Sequence, residues 1–159
     1  MKMFNRNILN FIKQIDNNIE VEFETDMQKY GLACEPTEEK IYIGLRSTPT
    51  EEKAFIDYVN ELEPNFFNKY NINNYILSIL HEVGHIMTHQ EELEEDYNKS
   101  TELLFQLEEN EMITKEQQCY FYVRLSLEQM ATQWAINFVK LNLDFTRQYQ
   151  NKIIKRLVA

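Results

Sequence analysis

The chain predicts an α+β fold, a mostly helical single domain over residues 1–159 built around a small antiparallel sheet. Three observations predict it. Apolar residues recur at helical spacing through most of the chain, the period drops to two in only a few short runs, and three glycines and three prolines leave few interruptions. An apolar content of 43% with 13% aromatics suffices for a core, and 159 residues are the size of one ordinary domain.

Phe4, Ile8, Phe11, Ile12 and Ile15 form one apolar stripe on a first helix. IEVEFE, residues 19–24, alternates apolar and acidic residues as a strand with one wet face does. KIYIGL, residues 40–45, is the second strand. Gly31 and Pro36 mark the segment between them as turn-rich, which makes an antiparallel pair the economical arrangement.

Thr48, Pro49 and Glu51 start the next helix as N-cap, first-turn proline and capping-box acid, with Ala54, Phe55, Tyr58, Val59 and Leu62 as its buried face. Beyond Pro64, Asn73 or Asn74 caps a helix with apolar positions Ile76, Ile79, Leu80, Val83, Ile86 and Met87. Residues 91–111 hold nine acids against the single Lys99 and read as a solvated helical excursion rather than a source of ligands. Thr114 and Gln117 form another capping box, followed by a long apolar-patterned segment from about Tyr120 to Phe145.

A net charge of −10 argues against a nucleic-acid partner, whose phosphates require a cationic surface. No apolar run approaches membrane-spanning length, and MKMFNRNILNF lacks the apolar core of a signal peptide, so a cytoplasmic location without membrane attachment is expected. Cys34 and Cys119 form no CxxC pair and read as free thiols.

The chemistry is concentrated in LHEVGH, residues 80–85. Residues four apart on a helix are rotated by only about 40°, so His81 and His85 can direct both imidazoles at one ion. Zinc suits such nitrogen ligands, and Glu82, about 100° from His81, is placed as general base toward a water at the metal. His89 is rotated about 80° from His81 and lies two turns along, which assigns it a surface or supporting role. The third ligand is expected to be Glu128 in LEQMATQWAINF. Ala131, Thr132 and Ala135 surround it with small residues, and Gly84 lies beside the histidine face, so the two helices can approach closely.

HEVGH followed by E-x-x-A-x-x-W-A resembles the gluzincin-type zinc peptidases, and most nearly the small ImmA/IrrE-type proteins of bacteria, phages and other mobile elements. The resemblance spans roughly residues 19–140 and implies a zincin-like fold with the motif helix packed on a second ligand-bearing helix. It implies a Zn2+-dependent endopeptidase acting on a protein or peptide, with a repressor as one such substrate. The alternative is a catalytically silent, metal-stabilised binding protein of the same fold. Many gluzincins carry an acid four residues after the ligand glutamate, where this chain has Thr132. Peptide substrates of such enzymes lie along a strand edge beside the metal. KIYIGL is the candidate edge, or else a strand that only covers the core.

Overall fold

The computed structural model describes residues 2–24, 31–44 and 47–155. Helix α1 (Lys2–Ile15) is followed by strands β1 (Glu20–Phe23), β2 (Leu32–Glu35) and β3 (Lys40–Ile43), with a short 3-10 turn at Pro36–Glu38. Among the described residues seven further helices follow: α2 (Pro49–Leu62), α3 (Phe66–Tyr70), α4 (Asn74–Met87), α5 (Glu91–Glu109), α6 (Lys115–Tyr122), α7 (Ser126–Leu141) and α8 (Leu143–Ile154). The predicted α+β class, mostly helical, is what forms.

The sheet is mixed, not antiparallel. Its order is β1-β3-β2, with β1 parallel to β3 and β2 antiparallel to it. The reason is one strand that the alternation does not announce: Leu32-Ala33-Cys34-Glu35 holds no β-branched or aromatic residue, yet it pairs. It takes up the reversal of direction, so the two recognisable strands run the same way. KIYIGL is also not the edge. Lys40–Ile43 forms the centre of the sheet, while β2 lies at one edge and packs on α4; Leu45 falls outside the described residues.

Register places Ile41 between Val21 and Cys34, all on the inner face, as period two requires. The outer face carries Glu20, Glu22 and Lys40, the last two in an ion pair at 2.7 Å. One apolar cluster runs from Ile8, Phe11 and Ile12 of α1 through Ile41 and Ile43 to Phe66, the α4 residues Ile76, Leu77, Ile79, Leu80 and Val83, and Ile153 of α8.

The helix starts follow their caps. Thr48 accepts from the Glu51 amide while Glu51 accepts from that of Thr48, Thr114 and Gln117 repeat the arrangement, and Asn73 rather than Asn74 caps α4. Leu62 and Met87, expected on buried faces, are 38% and 46% exposed because each closes its helix. The segment from Tyr120 to Phe145 is broken twice. Val123 ends α6, and Asn142 ends α7 while its carbonyl begins α8 by accepting from the Thr146 amide. Among the described residues no helix is long and apolar enough to cross a membrane.

Candidate metal centre

The site lies where α4 crosses α7, and a glycine sets the spacing. A Cβ built on Gly84 would lie 2.5 Å from the carbonyl oxygen of Ala131 and 3.0 Å from its Cα, so the backbones touch where any side chain would separate them. On α7 the residues toward α4 are Glu128, Ala131, Thr132 and Ala135, all buried. A carboxylate surrounded by small side chains can then reach across a short gap. Glu128 also sits in the first turn of α7, where the helix dipole favours negative charge.

Three predicted ligands meet there. His81 Nε2 is 2.9 Å from Glu128 Oε2, His85 Nε2 is 3.3 Å from the same oxygen, and the two imidazole nitrogens are 3.1 Å apart. Four ligands on bonds of about 2.0–2.1 Å in a tetrahedron would lie about 3.3 Å from one another, so the triangle has the size of one face of such a site. Among the described residues these three form the one set of metal-capable side chains drawn together.

The protonation pattern also suits a cation. Thr132, buried beneath His81, brings its Oγ1 to 3.0 Å from Nδ1 and can accept the ring N–H. In the neutral ring that tautomer leaves the Nε2 lone pair for a cation beside the carboxylate oxygen, whereas the protonated ring donates from Nε2 to Glu128. A metal ion held by both imidazoles and Glu128 would take the place of that proton. Thr132 thus offers the His81 ring a neutral hydroxyl as its partner. Phe55 of α2 covers the other side of the His81 ring, edge-on with centroids 5.3 Å apart.

Burial works against the charge on Glu128, but hydrogen bonds from His81 and His85 outweigh it and hold the carboxyl well below the usual range. His85 answers in the opposite sense: burial disfavours its charged form, and the Glu128 carboxylate nevertheless raises its pKa. Glu82 lies beside the cluster without joining it. Burial pushes its carboxyl up, the imidazoles pull it down, and Glu128 adds to the rise, the environment of a carboxylate that can take and return a proton.

Three neighbours are not evident from sequence. Cys34 of β2 is a free thiol, as Cys119 is, and burial followed by the charge and hydrogen bond of Glu82 holds it protonated. Tyr97 of α5 donates to Glu128 Oε1 at 2.5 Å, and its hydroxyl is 2.9 Å from that of Tyr122 on α6. The excursion is thus a helix whose acids mostly face solvent, as expected, and which also lays one tyrosine on the predicted ligand Glu128. A signal for it exists in the spacing of Leu93, Tyr97, Thr101, Leu104 and Leu107, which share its inward side. His89 stays outside the donor cluster, with Nε2 3.6 Å from Glu94.

Comparison with known proteins gives no matching family model, no similar curated protein and no similar solved structure, so the functional reading rests on this arrangement of side chains.

Proposed function

We propose that the chain is a zinc-dependent endopeptidase acting on a regulatory or other cytoplasmic protein. The observation that carries the reading is the convergence of His81, His85 and Glu128 with the Glu82 carboxylate on the adjoining helix position. Two imidazoles and one carboxylate make the three-ligand set of a catalytic zinc site, which leaves a position for reactants. Zinc bound there would polarise a peptide carbonyl and make nearby water more acidic. The chain's own residues do the rest. Glu82 takes a proton from the attacking water and delivers it to the leaving amine, a role its raised pKa favours. Thr132 holds the His81 ring, and the outer edge of β2 offers main-chain groups to an extended peptide beside α4. The similarity of HEVGH and E-x-x-A-x-x-W-A to ImmA/IrrE-type proteins supports a repressor as one candidate substrate.

The test is elemental analysis of protein purified without added metal, together with three variants. One zinc per chain is expected in the wild type and in Glu82→Gln, with loss in His81→Ala and Glu128→Ala. Glu82→Gln keeps the shape and loses the proton acceptor, so cleavage of a protein substrate should stop. Full zinc occupancy in both ligand variants would remove the assignment. Turnover by Glu82→Gln at the wild-type rate would remove the base.

A further inference from the structure

Helix α5 is nineteen residues long and has no buried residue, although it lies against α6 and α7. Its inward side is a row of half-buried residues, Leu93, Tyr97, Thr101, Leu104 and Leu107, and seven of the nine acids over residues 91–111 are exposed. Little apolar surface holds it down, which places it among the elements that open at low free energy. Its best-defined polar tie is to the metal centre. Tyr97 donates its single hydroxyl proton to Glu128 Oε1, so the 2.9 Å contact with Tyr122 is a bond in which Tyr122 donates to Tyr97. The chain of donors therefore runs one way, from α6 through α5 to α7, and each bond polarises the next.

We propose that α5 is a strap whose docking is coupled to cation binding, with Tyr97 as the positioning residue that holds Glu128 Oε1 so that Oε2 alone faces the two imidazoles. This rests on the metal-site reading above. A carboxylate anchored by one oxygen cannot swing both oxygens inward, and partners of this kind set metal affinity by about 10–100-fold. Coupling between two binding events is reciprocal: if a docked α5 strengthens cation binding, a bound cation must strengthen docking of α5. The acidic helix is then more than a solvated insertion, because it reports on the site through one hydroxyl.

The experiment pairs zinc affinity, measured by competition with a chromophoric chelator, with amide hydrogen exchange along α5 with and without zinc. In the wild type, zinc should slow exchange across α5. Tyr97→Phe should bind zinc about 10–100-fold more weakly and lose that added protection, and Tyr122→Phe should show a smaller loss of the same kind. The cobalt-loaded Tyr97→Phe protein should show weaker visible d–d bands than cobalt-loaded wild type, as Glu128 offers both oxygens and the coordination number rises. Equal zinc affinity in wild type and Tyr97→Phe, or α5 exchange that zinc does not change in the wild type, overturns the strap while leaving the metal site intact. A wild-type chain that binds no zinc overturns both. Should Tyr97→Phe fail to fold, the wild-type exchange comparison decides alone.

Discussion

Replacing Gly84 with alanine adds one methyl at the tightest point of the α4–α7 contact. The new Cβ would start 2.5 Å from the Ala131 carbonyl oxygen, and ordinary contact begins at 3.4 Å, so one helix must retreat by about 0.9 Å. The obstacle is backbone, which cannot rotate aside. Glu128 lies one turn from Ala131, so a retreat of that size would carry Oε2 from 2.9 and 3.3 Å of the two imidazoles to about 3.8 and 4.2 Å, beyond the edge of a zinc tetrahedron. Two terms oppose each other in the fold itself. Alanine gains about 1 kcal/mol in helix propensity, and overpacking costs about 1–3 kcal/mol. The net loss of about 1 kcal/mol should lower Tm by about 2–4 °C in chelator. Zinc affinity should fall at least tenfold, or about 1.4 kcal/mol. Thermal melts in chelator and competition titration with zinc read the two effects separately. A variant that binds zinc as tightly as wild type and melts no lower in chelator would refute the idea that this glycine sets the ligand spacing.

Thr132→Val keeps the shape and removes the acceptor for the His81 ring N–H, so the variant should lose about 1–3 kcal/mol of stability from that buried donor and about 10–100-fold in zinc affinity. Thr132→Ser should restore most of the affinity; chelator competition measures both, and an undiminished valine variant would remove Thr132 as the orienting group. Replacing Glu92, Glu94, Glu95 and Glu109 together with glutamine should leave zinc content unchanged, because none of them belongs to the donor cluster. Binding of acidic peptides should improve in that variant, most at low salt, where screening is least. Phe66→Ala empties a fully buried position and should cost about 3–5 kcal/mol in denaturant unfolding; a loss under about 1 kcal/mol would show that the site collapses to fill itself.

Much of the frame is legible in the sequence because local chemistry dictates it. Thr48 with Glu51 and Thr114 with Gln117 name their helix starts by side chains that can satisfy free amides only there. The pairing of His81 and His85 follows from helical pitch, and the choice of Glu128 follows from the small residues that let its helix come near. What escapes has a physical reason in each case. β2 is held by the register of its neighbour rather than by its own residues, so Ala33 and Cys34 give no signal and the direction of the sheet is misread. Tyr97 shares its spacing with Leu93, Thr101, Leu104 and Leu107, which marks an inward side, but nothing in that spacing says that Glu128 lies beneath it. The break after Tyr122 contains neither glycine nor proline. It is held by Arg124, which stacks on Tyr120 four residues before it and reaches α2 by stacking on Tyr58 and pairing with Glu61.

The order β1-β3-β2 means that the sheet is not assembled in the order in which its strands occur along the chain. β2 and β3 are joined by the short turn at Pro36–Glu38, where Glu39 adopts a positive φ of 49°, and this hairpin closes a small loop. Among the described residues β1 pairs only with β3, across a longer stretch, so it waits for a partner that is synthesised last of the three. During that interval it is a segment of alternating apolar and acidic residues with both edges open. Glu20, Glu22 and Glu24 give every second position a negative charge, so two copies of β1 laid side by side would oppose like charges along one face. The alternation that marks IEVEFE as a strand thus also keeps it solitary until Lys40 arrives to pair with Glu22.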